Sequence, residues 1–174
     1  FKSERARVND QFPAPQLLID GKVWEDQINV SGNGLSAMGK QRSGPSVPPQ
    51  CWAALRADRQ GPFPAPVPLP PPVNGQDALH PVQSPDGLTL LVSSTRPGSR
   101  SADIWMFTRP ALDRPFETVE HLPSSVNTTN WDMPAYISND RLIMITMAQG
   151  KSTGREERHQ FIFVRRNAET PFGP

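Results

Sequence analysis

Short apolar runs recur along the chain, each a few residues long and each closed by a cluster of turn-forming residues. Leu142-Ile143-Met144-Ile145-Thr146 and Phe161-Ile162-Phe163-Val164 are two of them, rich in β-branched and aromatic side chains. In Asp103-Ile-Trp-Met-Phe-Thr108, Ile104, Met106 and Thr108 fall on one face and Trp105 and Phe107 on the other, the period of two that a strand requires. No 12-residue window carries a helical period. The pattern predicts an all-β chain.

These runs belong to a repeat. An aromatic residue is followed four positions later by Arg and seven after that by Phe: Phe1, Arg5, Phe12; Trp52, Arg56, Phe63; Trp105, Arg109, Phe116; Phe161, Arg165, Phe172. Six positions beyond the first three of these Phe residues stands Leu18, Leu69 or Leu122, and in two units a Val-Asn pair follows, Val73-Asn74 and Val126-Asn127. Then comes a turn motif: Ser31-Gly-Asn-Gly-Leu35, Ser84-Pro-Asp-Gly-Leu88 and Ser138-Asn-Asp-Arg-Leu142. Successive arginines lie 51, 53 and 56 residues apart, which marks one repeating unit rather than chance.

Each unit reads as four short strands. In the middle one they fall around 80–83, at 88–94, at 103–109 and around 116–122, with turns at Pro85-Asp86-Gly87 and Pro97-Gly98. Proline near the fourth strand suits an outer edge, where no ladder hydrogen bond is lost. Four antiparallel strands in about 50 residues make a propeller blade. The expectation is therefore a single incomplete β-propeller segment, 1–174. It holds about three full blades, approximately 12–62, 63–115 and 116–171, with partial blades at both ends. Closed propellers need about four to eight blades, so further blades are expected from the same or another chain. The start at Phe1 rather than Met fits a chain cut from something longer.

Ser84-Pro-Asp-Gly-Leu88, Ser94-Thr-Arg-Pro-Gly98, Asp103-Ile-Trp105 and the trailing Arg109 resemble the TolB-type WD40-like β-propeller repeat of bacterial proteins. The resemblance covers most of the chain and is strongest over 63–116. In the last unit Asn139 and Arg141 replace the usual Pro and Gly, and in the first the third strand is reduced to Cys51-Trp-Ala-Ala-Leu55. It implies a bacterial, periplasmic or cell-envelope setting and a role in binding.

Charge changes the picture mainly by what it removes. With 18 basic and 17 acidic residues, the net charge of +1 gives no electrostatic reason to expect nucleic acid. No apolar stretch is long enough for a membrane-spanning helix. Cys51 is the single cysteine, so no internal disulfide forms. The 21 prolines far exceed the usual ~5%, and 63–72 could be a polyproline ligand, but its phase favours an outer strand and linker.

The motifs that tempt towards chemistry have plainer readings. Gly32-Asn-Gly34-Leu-Ser-Ala37 matches a dinucleotide fingerprint, yet Met38-Gly-Lys-Gln-Arg-Ser-Gly-Pro45 cannot supply the helix it needs. Ser36 lacks the G-x-S-x-G elbow, and His80, His121 and His159 have no metal-ligand spacing. Asp86 and Asp140 recur in phase, as turn-capping carboxylates do. Trp52 and Trp105 share a phase and are expected as core aromatics between blades. No catalytic, cofactor-binding or metal-binding residue is expected. The remaining candidate is the segment before the innermost strand of the last unit, where Asn127, Asn130, Trp131 and Asp132 form a possible contact surface at the rim of the channel. The expected function is a non-catalytic module that binds a protein or glycan. The alternative is the propeller portion of a larger hydrolase, peptidase or kinase whose catalytic residues lie outside this chain.

Overall fold

A computed structural model describes residues 28–41, 47–152 and 155–172. The first match of the repeat, Phe1, Arg5, Phe12 and Leu18, lies outside the described residues. Among the described residues, eleven strands form three antiparallel meanders. The first sheet holds β1 (Ile28–Val30), β2 (Ser36–Gln41), β3 (Gln50–Leu55) and β4 (Val67–Pro68). The second holds β5 (Leu79–Gln83), β6 (Thr89–Ser94), β7 (Asp103–Thr108) and β8 (Thr118–His121). The third holds β9 (Trp131–Ile137), β10 (Ile143–Ser152) and β11 (Arg155–Val164). The only helical turn among the described residues is a 3-10 turn at Val73–Gly75. None is long and apolar enough to cross a membrane.

The fold is thus all-β and built of blade-like sheets. The first strands of successive sheets adjoin, β1 beside β5 and β5 beside β9, which puts them innermost. In the first two sheets the outermost strand follows the repeat's Phe, so that counted by hydrogen bonds the sheets run 28–68, 79–121 and 131–164.

The sheets stack face on face because both faces of their strands are apolar. Leu90, Val92 and Phe107 of the middle sheet pack with Met38 and Cys51 of the first. Its opposite face, Val82, Leu91, Ile104 and Met106, packs with Ile137 and Met144 of the third. Trp52 is fully buried, but with Ala37, Ala54 and Phe63 on the face of the first sheet turned away from the second. Trp105 is only half-buried, stacked on His121 at 4.3 Å between ring centroids, and Phe161, in the same phase, is 39% exposed. The shared phase therefore fixes a strand position, not a depth: the third-strand aromatic lies outward in the sheet, where its cover comes from neighbours that differ between units.

Three side-chain clamps explain the repeat. Ser31, Ser84 and Ser138 each donate to the carboxylate or amide oxygen two residues on, and each hydroxyl accepts the N–H five residues on. Arg56, Arg109 and Arg165 lie 4.3, 4.6 and 4.1 Å over Phe63, Phe116 and Phe172. Their Nε donates to the carbonyl of Gly34, Gly87 or Arg141 at 2.7, 2.9 and 2.7 Å, which ties the third strand to the first hairpin turn. Asn74 and Asn127 each accept a backbone N–H from the third strand and donate to carbonyls of the third and fourth. The spacing of Arg, Phe, Asn and Ser is thus the spacing of one set of side-chain bonds.

The turn needs a left-handed residue. Gly34 and Gly87 take φ of +72° and +73°, and Arg141 adopts +58° in the same place. A non-glycine there is strained by roughly 1–2 kcal/mol. At Gly87 a side chain would in addition meet Leu112 Cδ2 at 2.7 Å.

The 63–72 segment is the outer strand and linker. Trp52 pairs with Pro68, Ala53 with Val67, and Leu69 N donates to Cys51 O at 2.9 Å. Leu69, Val67 and Ala65 therefore turn their N–H towards the sheet, while Pro64, Pro66 and Pro68 occupy the positions whose N–H would face outwards. That edge presents carbonyls without donors, which blocks strand addition.

Candidate functional site

Asn127 and Asn130 lie in the connection from β8 to β9, whereas Trp131 and Asp132 open β9 itself rather than preceding it, and the four candidate residues are of two kinds. Asn127 is 2% exposed and wholly committed to the clamp: its Oδ1 accepts from Ile104 N at 2.7 Å and its Nδ2 donates to Leu122 O at 2.8 Å. Asp132 is 1% exposed, and its carboxylate accepts from Thr128 N at 2.7 Å and Thr128 Oγ1 at 3.0 Å, closing the loop on itself. Its backbone joins the second sheet to the third, with Ser93 Oγ donating to its carbonyl at 2.6 Å and its N–H donating to Ala102 O. These two residues position the surface and do not belong to it.

Trp131 does. It is 43% exposed, with its ring edge-on to the His80 ring at 6.3 Å between centroids. His80 is a signal the sequence reading missed; it sits on β5, beside β9, with φ +50°. Asn130 is half-buried against Gly150, and any Cβ added at Gly150 would collide with the Asn130 amide. A flat, partly exposed indole beside an imidazole can stack on a sugar face, a proline or another aromatic ring.

Burial raises the Asp132 pKa to about 6; the two Thr128 bonds act against it, and the Asp103 carboxylate adds a smaller push upwards. A folded-state pKa above the ordinary 3.8 favours the protonated fold. This stability is fully present below about pH 4 and is lost as pH rises through 6. Asp132→Asn, which still accepts from Thr128 but carries no charge, is expected to flatten this part of the profile. Its melting temperature should match the parent near pH 4 and exceed it at pH 7, by an effect on the order of 2 kcal/mol. Parallel melting curves for the two proteins between pH 4 and 7 would refute this account.

The other titratable groups are structural. His121 Nε2 lies 2.8 Å from Asp103 Oδ2, and its ring covers Trp105. Arg96, 7% exposed, spans Trp105 and Phe107 at 5.4 and 4.9 Å and donates to Val73 O. Burial pushes the Cys51 thiol up to about 12, against the attraction of Arg96 and Lys40, so it is inert as a nucleophile. Among the described residues no group of three His, Cys, Asp or Glu side chains is placed to hold a metal ion. Among the described residues, clefts flank the sheets. One, of about 460 Å³, has mixed charge from Asp86, Glu117, Arg109 and Arg141. Another, of about 440 Å³, is apolar and runs between Val67, Pro68 and Leu112.

No family model matches the chain, and no curated protein matches it in sequence. Among solved structures, TolB from Acinetobacter baumannii is similar at a TM-score of 0.48 and 14% identity, over 84% of this chain and 31% of that one. The chain thus spans about a third of the length of that TolB.

Proposed function

We propose that the chain is a non-catalytic binding or scaffolding module of the propeller type, which presents its inner-strand loops to a protein or glycan partner at the bacterial cell envelope. The observation that carries the binding role is Trp131: it is held in fixed register by Asp132 and Asn127, yet 43% of it is exposed beside His80. A large aromatic held rigidly at the surface is the kind of residue that dominates recognition. The envelope setting is supported by the resemblance of the Ser84-Pro-Asp-Gly-Leu88 repeat alone.

The test is direct. The immobilised chain is incubated with a solubilised bacterial envelope fraction, and in parallel with a panel of envelope glycans. A retained partner is expected, and Trp131→Ala should weaken its binding roughly tenfold or more. The same variant should keep its stability within about 0.5 kcal/mol of the parent, as a surface substitution does. Retention undiminished by Trp131→Ala, or no retained partner, removes this reading.

A further inference from the structure

Three threonines lie opposite one another across the second sheet, Thr89 on β6, Thr108 on β7 and Thr118 on β8. They share the face of Leu91 and Met106, which is turned to the third sheet. There they floor the mixed-charge cleft of about 460 Å³. Glu117 and Asp86 border it with carboxylates, Arg109 and Arg141 with guanidinium groups. The turn of the third sheet forms the far wall and is tied to the second sheet, Asp86 N donating to Asn139 Oδ1 at 2.7 Å. Among the described residues neither the Arg141 guanidinium nor the Glu117 carboxylate has a hydrogen bond or ion pair, and Arg109 Nη2 is buried without a partner. Opposite charges thus line one cleft without meeting.

The charge is peculiar to this gap. Counted from the Arg and Phe of the repeat, the counterparts of Thr108, Glu117 and Thr118 are Leu55, Pro64 and Ala65, which line the apolar cleft beside the second sheet. That cleft, of about 440 Å³, lies between two sheets that each have a fourth strand, so an opening of this kind does not depend on the three-stranded form of the third sheet. Arg141 stands where the other two turns have Gly34 and Gly87, at a φ of +58° that disfavours any side chain. It brings a cation into the cleft at a conformational cost. An anion alone would face Asp86 and Glu117, and a cation alone would face the two arginines. A ligand with one charge of each sign satisfies both, and the threonine hydroxyls of the floor can donate to and accept from amide groups. We infer that this cleft binds a short peptide with free termini, its carboxylate on Arg141 and its ammonium on Glu117 and Asp86. The volume falls within the roughly 300–1,000 Å³ of small-ligand pockets. This site is independent of the partner proposed for Trp131.

Titration of the purified chain with triglycine, followed by amide chemical shifts, tests it. The expected result is saturable binding in the millimolar range, with shifts at Thr89, Thr108 and Thr118. Triglycine amide, N-acetyl-triglycine and free glycine should each bind more weakly by roughly tenfold or more. Arg141→Gly puts back the residue of the other two turns, so the variant keeps its fold by circular dichroism and should lose the preference for triglycine over its amide. Glu117→Gln, at an exposed position, should lose the preference for triglycine over its acetylated form. Glu156→Gln, at an exposed carboxylate on β11, should change neither. Absence of saturable shifts overturns the proposal, as does a preference that survives in either cleft variant or disappears in Glu156→Gln. Blocked peptides or free glycine that bind as tightly as triglycine overturn the peptide assignment.

Discussion

Asn127→Ala lowers the thermal midpoint by roughly 10 °C, the largest loss expected from any single polar side chain here. The alanine leaves Ile104 N and Leu122 O without the amide that now meets them at 2.7 and 2.8 Å, and both residues are buried. Each stranded buried backbone group costs about 1–3 kcal/mol. Two of them come to roughly 4 kcal/mol, and a domain of this size loses about 2–4 °C per kcal/mol. Ile104 O is less affected, since Leu122 N also donates to it. Asn74→Ala removes the same clamp from the first sheet, where Asn74 is only half-buried, and should cost less. Asn130→Ala, three residues from Asn127 and outside the clamp, should change the midpoint little. A denaturant or thermal series on the three variants checks the order. Equal losses at 127 and 130 would mean that the clamp does not hold the sheet.

Arg109→Ala is expected to cost nearly as much, by another route. Arg109 is 7% exposed, lies on Phe116, and donates from Nε to Gly87 O at 2.9 Å and from Nη1 to Leu112 O at 3.0 Å. Burial lowers its pKa, against the pull of Asp113 and Asp86, so the fold bears a desolvation cost that these contacts help to offset. Alanine strands two carbonyls, uncovers one face of Phe116 and leaves a cavity, a loss of about 3–4 kcal/mol. Arg109→Lys keeps the charge but has neither the flat face for Phe116 nor the fork that reaches two carbonyls. It should recover under half of the loss. Chemical denaturation of the parent and both variants decides this. Full rescue by lysine would show that charge alone matters at this site.

Much of the architecture is legible in the sequence because the clamps are local and stereotyped. A Ser, an Asp or Asn two residues on and a Gly or its stand-in recur because one hairpin turn needs all three. The Arg and Phe seven apart recur because one must lie on the other. The candidate surface was less legible. In-phase recurrence, which marks Asp86 and Asp140 as turn residues, holds for Asn127 too, since Asn74 stands at the same offset; that signal argued against placing Asn127 in the contact surface, where the sequence analysis put it. Asp132 has no such signal. Asp77, its nearest counterpart, lies at a different spacing and bonds Ser94 and Thr95 instead. The partial exposure of Trp105 depends on His121 and Arg96, neither of which periodicity can place against it. His80 joins Trp131 only through the packing of β5 beside β9.

The clamps also bear on how such a chain can grow. Residues 76–127 hold the Ser84 turn, the Arg109 and Phe116 pair and the Asn127 amide with every partner each requires. A gene duplication with those ends would add a finished sheet. One cut at 63 and 116 would part Asn74 from Cys51 and Arg109 from Phe116. Lineages carrying this repeat should therefore differ in length by whole sheets, with crossover points in the short connections after Asn74 and Asn127 rather than at the phenylalanines where the sequence period is easiest to count.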